Sequence, residues 1–202
     1  MKKTLAIFGG TFSPPHIGHV RAAEAFVAAV RPDKLLILPS AIPPHKAPVS
    51  GATAEDRLAM CRLAFSHIAE AEVSDMEIRR TGKSYTVLTL SELASPEWEL
   101  CMLVGTDMFL SLDTWYRAEE IFGLSEIAVI RRETETEAER AIAQKYEEYR
   151  RRYGARIRFI DSTAEVVSSS EIREALRVGR SCEGRLLPSV EEYIKTCQLY
   201  RE

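Results

Sequence analysis

The stretch Gly9-Gly10-Thr11-Phe12-Ser13-Pro14-Pro15-His16-Ile17-Gly18-His19 constrains the fold of this chain most, because of what lies on either side of it. Before it comes the apolar run Leu5-Ala6-Ile7-Phe8, which lacks polar alternation and so predicts a strand buried on both faces, as in a parallel sheet. After it, from near Gly18, Val20, Ala23, Val27 and Val30 recur at helical spacing until Pro32. The adjacent glycines allow a backbone turn to approach a ligand where a side chain would clash. A helix N-terminus presents unpaired N–H groups and the positive end of its dipole, and His16 and His19 sit at its mouth. Strand, glycine turn, helix start and paired imidazoles together predict a phosphate site.

The alternation continues along the chain. Leu35 to Leu38 reads as a second buried strand closed by Pro39, and Ala54 to Ile68 as a helix with Leu58, Cys61, Phe65 and Ile68 on one stripe. Glu72 to Ile78 is a short strand candidate, and Ser84 is placed to cap a helix that runs to about Ala94. Further strands are expected at Leu100 to Val104, Ile127 to Ile130 and Ile157 to Ile160. The acidic run Glu133 to Glu139 opens a long helix striped by Ile142, Tyr146, Tyr149 and Tyr153, and Arg150-Arg151-Arg152 at its end suits the dipole. Ser168 with Glu171, and Ser189 with Glu192, have the spacing of capping boxes for two final helices, the last striped by Val190, Ile194 and Cys197. This pattern predicts an α/β protein with a Rossmann-like, doubly wound, mostly parallel sheet and helices on both faces. With no repeat or linker, residues 1–202 read as a single domain on which the helical part, about 168–202, packs.

Composition narrows the class of function. The chain has 27 basic and 30 acidic residues and a net charge of −3, so nothing in bulk draws it to nucleic acid, and an anionic substrate needs local positive charge. No apolar run approaches the ~20 residues of a membrane span, and Met1-Lys2-Lys3 leads straight into a strand, so a soluble cytoplasmic protein is expected. Cys61, Cys101, Cys182 and Cys197 form no C-x-x-C pair and lie in or near apolar segments, which predicts buried free thiols. His16 and His19 have no third and fourth ligand at suitable spacing, so a metal site is not expected.

Other candidates stand where open α/β sheets bind ligands, at carboxyl ends of strands. The loop Ser40 to Thr53 carries Pro43-Pro44-His45-Lys46, either a solvated connection or a stiff presenter of two phosphate-binding groups. Asp107, after Gly105, could accept from a ribose diol or cap a helix. Trp115 lies in a stretch of weak periodicity, so core and ligand platform are both open to it. Arg131 and Arg132 follow a strand and suit a triphosphate. Capping accounts for one serine in Ser168-Ser169-Ser170, not for three.

The first motif resembles the G-G-T-F-D-P-x-H-x-G-H signature of nucleotidyltransferases that share His-x-Gly-His, with Ser13 its one departure. Class I aminoacyl-tRNA synthetases also carry His-Ile-Gly-His, but they need far more chain. The other elements resemble those of the nicotinate-nucleotide adenylyltransferases: Pro-Pro-His-basic at His45 and Lys46, Ser84-Tyr85-Thr86, Gly105-x-Asp107, Trp115, and Val167-Ser168-Ser169-Ser170-x-Ile172-Arg173. The resemblance implies that ATP and nicotinate mononucleotide give nicotinic acid adenine dinucleotide and pyrophosphate, with Mg²⁺ carried on the ATP phosphates. It implies roles for His16, His19, Lys46, Arg132 and Arg173 in catalysis. Gly9, Gly10, Thr11, Phe12, Gly18, Gly105, Asp107, Ser168, Ser169 and Ser170 would hold ATP, and His45, Ser84, Tyr85, Thr86 and Trp115 the mononucleotide. It implies small-molecule partners, with no nucleic acid or membrane, and leaves a homo-oligomer open. The rival within the superfamily is phosphopantetheine adenylyltransferase, and the rival from another class is a non-catalytic nucleotide sensor.

Overall fold

The computed structural model describes residues 2–42, 51–80, 82–132, 139–162 and 167–201. Strands and helices alternate from the start: β1 (Lys3–Gly10), α1 (Ile17–Val30), β2 (Lys34–Pro39), α2 (Ala54–Phe65), β3 (Ala71–Val73), α3 (Met76–Arg79) and α4 (Thr86–Leu93). They continue with β4 (Trp98–Gly105), α5 (Thr106–Leu110), a 3₁₀ turn (Leu112–Thr114), α6 (Ala118–Leu124), β5 (Ser125–Arg132), α7 (Glu139–Tyr153), β6 (Ile157–Ser162), α8 (Ser169–Arg177) and α9 (Pro188–Thr196). The six strands form one sheet in the order β3-β2-β1-β4-β5-β6. The pairings of β1 with β4, β4 with β5 and β5 with β6 are parallel, and Ala6 lies opposite Cys101, Leu103 opposite Ala128, and Val129 opposite Phe159. That order is the doubly wound one, reversing between β1 and β4. The α/β class expected from the alternation is therefore what the chain forms.

By internal contacts the chain divides into two compact units. One comprises Met1–Phe8, Glu24–Leu35 and Tyr85–Thr163, and the other Gly9–Ala23, Leu36–Ser84 and Ala164–Glu202. In the first, Ile127, Ala128, Val129, Phe109, Ile121 and Tyr149 are wholly buried. In the second, Ala23, Ile37, Met60, Cys61 and Val190 are wholly buried, with Phe12 and Phe65 almost so. The apolar runs read as strands supply these cores because a parallel strand buries both faces.

Several boundaries differ from those expected, each for a local reason. The strand expected over Glu72 to Ile78 stops at Val73, and residues from Met76 form the short helix α3, with Ser74 Oγ accepting from the Met76 N–H at 3.3 Å. Ser84 does not cap α4: its buried hydroxyl accepts from the Ala41 N–H at 3.0 Å, and Tyr85 occupies the cap position without a side-chain bond. Helix α9 starts one residue before Ser189, because Pro188 fits the first helical position, where its missing N–H costs nothing, and Leu187 takes the cap. Ser168 does cap α8, but it accepts from the Ser170 N–H at 3.2 Å instead of pairing with Glu171 in a box. A capping box forms at Thr53 and Asp56, where none was expected. Cys61, Cys101 and Cys182 are buried free thiols, whereas Cys197, past the end of α9, is exposed.

Candidate active site

The signature is built in the second unit. Gly9 and Gly10 continue β1 rather than forming the turn, which falls at Phe12, in the left-handed region with φ 49°. A Cβ on Gly10 would lie 2.9 Å from the Phe12 ring, so the glycine makes room for that ring rather than only for a ligand. The ring is 2% exposed, and its edge contacts pair it with His19 (centroids 5.0 Å apart) and Phe65 (5.8 Å). Phe12 thus braces one of the two histidines. The Ser13-Pro14 peptide that follows is cis.

His16 and His19 close the start of α1 as a reciprocal pair. The His16 N–H donates to His19 Nδ1 at 3.2 Å, and the His19 N–H donates to His16 Nδ1 at 3.3 Å. This is the bonding of a capping box, with imidazoles in place of the usual hydroxyl and carboxylate. The rings stack with centroids 3.6 Å apart and planes inclined by 26°. Since each Nδ1 accepts, each neutral ring carries its hydrogen on Nε2. The motif therefore fixes two Nε2–H donors side by side at a helix N-terminus. The Ile17 N–H is taken by the Arg185 carbonyl at 2.9 Å, while the Gly18 N–H has no partner among the described residues. Donors at a helix N-terminus suit an anion such as a phosphate.

The turn between Thr11 and Pro14 is clamped through its carbonyls. Arg57 Nη1 donates to the Thr11 carbonyl at 2.7 Å and Nη2 to that of Ala41 at 3.3 Å, which ties together the segments following β1 and β2. Burial pushes the Arg57 pKa down, and Tyr200, Cys61 and Glu55 oppose the shift. From α8, Arg173 Nη1 donates to the Ser13 carbonyl at 2.7 Å and Nη2 to Ser170 Oγ at 3.0 Å, and Ser169 Oγ donates to the Pro14 carbonyl at 3.1 Å. Hydrogen bonds from a charged donor contribute roughly 1.5–3 kcal/mol each. The groups expected at a triphosphate thus also hold the histidine turn, and Arg173 keeps further N–H groups beyond these two bonds.

The first unit holds the remaining candidates. Gly105 is the N-cap residue of α5, so Asp107 is not the cap: it lies exposed in the first turn, its Oδ1 3.3 Å from where a Gly105 Cβ would be. The Thr106 hydroxyl donates to the Ile130 carbonyl at 3.5 Å. Trp115 ends the 3₁₀ turn, half-buried, its N–H on the Leu112 carbonyl at 3.1 Å. Tyr85 and Tyr116 face one another with centroids 4.7 Å apart, and Thr86 begins α4. Arg132 is the last residue of β5; its neighbour Arg131 pairs with Asp161 at 2.6 Å. His45 and Lys46 lie outside the described residues.

Two supporting residues went unread in the sequence. Arg57 had a visible signal, since it stands four residues before Cys61 and seven before Ala64, in line with the buried stripe of α2. Tyr200 had none: it meets Ser13 from 187 residues away.

A glycine-ended strand, a histidine-capped helix and a helix start bearing serines and an arginine all lie within the stretch that matches the cytidylyltransferase-like family of nucleotidyltransferases. The chain belongs to that family, whose profile matches residues 7–175. Within it the chain is 38% identical to a protein of Desulfatibacillum aliphaticivorans and 36% identical to one of Caldicellulosiruptor saccharolyticus, over 97% and 98% of its length and 99% of each of theirs. Both are named "Probable nicotinate-nucleotide adenylyltransferase", and the chain is a member of the nicotinate-nucleotide adenylyltransferases. The Plasmodium falciparum nicotinic acid mononucleotide adenylyltransferase complexed with NaAD shares the fold, with a TM-score of 0.78 at 16% identity over 98% of this chain and 97% of that one. The same protein complexed with APC gives 0.77.

Proposed function

We propose that this enzyme transfers the adenylyl group of ATP to nicotinate mononucleotide, giving nicotinic acid adenine dinucleotide and pyrophosphate in NAD biosynthesis. The observation that carries the reading is the histidine capping box, because it orients two Nε2–H donors without offering a nucleophile. A phosphate oxygen of the mononucleotide attacks the α-phosphorus in line, forming one P–O bond as the bond to the β-phosphate oxygen breaks. Pyrophosphate takes the electron pair and departs. No protein atom becomes covalently attached, so catalysis is positioning and charge stabilisation. His16 and His19 donate to oxygens of the α-phosphate, and Arg173, with Arg132 and Lys46, neutralises the leaving group. Gly9 to Phe12, Gly18 and Ser168 to Ser170 accommodate the triphosphate, and Gly105 and Asp107 the ribose.

The acceptor is assigned to Trp115, Ser84, Tyr85, Thr86 and His45. Stacking on Trp115 holds a pyridine ring whatever its substituent. Discrimination falls to α4, whose cap residue Tyr85 makes no side-chain bond, so its first-turn N–H groups and dipole favour a carboxylate over an amide. Mg²⁺ would arrive on the ATP phosphates, whose oxygens are the hard ligands it takes; among the described residues no three His, Cys, Asp or Glu side chains converge on a cation position. No helix of the described residues is long and apolar enough to cross a membrane, and a cytoplasmic location accords with small-molecule substrates. Incubation with ATP and nicotinate mononucleotide is expected to yield the dinucleotide and pyrophosphate in equal amounts. Formation of ADP and inorganic phosphate instead would overturn the reading.

A further inference from the structure

We infer that Tyr200 is a positioning residue of this active site: through Ser13 it holds the turn from Thr11 to His16, and so keeps the two histidine rings in one orientation. The Tyr200 hydroxyl lies 3.0 Å from Ser13 Oγ, and the two residues are 4% and 2% exposed. The turn's carbonyls at Thr11, Ser13 and Pro14 are already taken by Arg57, Arg173 and Ser169. The Ser13 side chain adds a buried hydroxyl to that segment, and the C-terminal segment supplies its partner.

Tyr200 is itself held for this task. It adopts a left-handed backbone with φ 62°, and its N–H donates to the Gly51 carbonyl at 3.2 Å. A Cβ on Gly51 would lie 3.0 Å from Tyr200 Cδ1 and 3.1 Å from its Cα, so that glycine is fitted to the tyrosine. Seven residues earlier, the Tyr193 hydroxyl donates to Asp56 Oδ1 at 3.0 Å. Asp56 belongs to the capping box of α2, and the next residue is Arg57, which holds Thr11. The C-terminal segment and the turn are therefore fastened to the same helix end. Burial pushes the Tyr200 hydroxyl up to about 12, so it stays protonated, and its bond to Ser13 intact, throughout the neutral range.

The test uses Tyr200→Phe, which keeps the ring and removes only the hydroxyl, with Ser13→Ala and the double variant. Its rate readout rests on the proposed adenylyl transfer, while its second readout, backbone amide exchange at His16 and His19, does not. Losing one buried hydrogen bond should lower kcat by about threefold to tenfold, with KM for both substrates within about twofold. Exchange at the His16 and His19 amides should quicken by a similar factor, and the double variant should be no worse than either single one. Unchanged kcat and exchange in a folded Tyr200→Phe protein, or additive losses in the double variant, would overturn the inference. If the unmodified protein transfers no adenylyl group, the functional reading fails, and exchange alone decides the role of Tyr200.

Discussion

His16 and His19 cap a helix with Nδ1, and in the proposed mechanism they also offer Nε2–H to a substrate, two tasks that proteins usually divide. Replacing either by Ala should lower kcat by roughly 10²–10³, the scale on which preorganised donors act. The same change removes a cap, at about 1 kcal/mol, so stability falls modestly while ATP affinity changes far less than kcat. Steady-state kinetics beside thermal melts checks this, and wild-type kcat in a variant would remove that histidine from the mechanism. The signature itself was legible because its residue types and spacing carry their own chemistry. Ser84 was misread because a serine before a helix is equally suited to bonding a neighbouring segment, and only the Ala41 N–H decides between the two. Tyr200 was illegible because nothing local encodes a contact made across nearly the whole chain.

Among elements, the 3₁₀ turn that leads into Trp115 depends on α7. Asp113 Oδ2 lies 2.8 Å from Lys145 Nζ, and the Tyr149 hydroxyl lies 2.8 Å from Asp113 Oδ1 and 3.0 Å from the Phe109 carbonyl. Burial would raise the Asp113 carboxyl, but hydrogen bonds from Lys145 and Tyr149 outweigh it and hold the group below its ordinary value. A carboxyl whose folded pKa is depressed contributes stability above its unfolded value, near ~4, and loses it as pH falls through the folded value. Asp113→Asn should therefore cost about 1–3 kcal/mol at pH 7, and the gap from the unmodified protein should narrow below about pH 4. Urea melts at pH 7 and pH 3 check this, and a gap independent of pH would show that the carboxylate is not what braces the turn. Buried strands such as β4 and β5 were legible from their apolar runs, and α7 from its tyrosine stripe. Helix starts were less so, as Pro188 and Ser74 show, because capping is settled by one or two bonds that several nearby residues can make.

Across the whole molecule, the parallel sheet followed from strands without polar alternation separated by helices, which leaves little choice of topology. The six-stranded order β3-β2-β1-β4-β5-β6 and the identity to relatives over nearly the full chain agree with it. What fold and signature do not select is the acceptor, since the His-x-Gly-His motif serves several substrates. The assignment of nicotinate mononucleotide rests on α4 and Trp115, and it makes a quantitative claim. Trp115→Ala should weaken nicotinate and nicotinamide mononucleotides alike, whereas Thr86→Pro, which removes one first-turn donor, should reduce the preference for the acid. The most direct test is to measure kcat/KM for pyrophosphate release from ATP with nicotinate mononucleotide, nicotinamide mononucleotide and phosphopantetheine side by side. The account predicts that the nicotinate substrate is preferred at least ~10²-fold over the nicotinamide one, within the ~10⁴–10⁵ available to a polar site, and that phosphopantetheine gives no turnover. Equal use of the two mononucleotides, or turnover with phosphopantetheine, would contradict it.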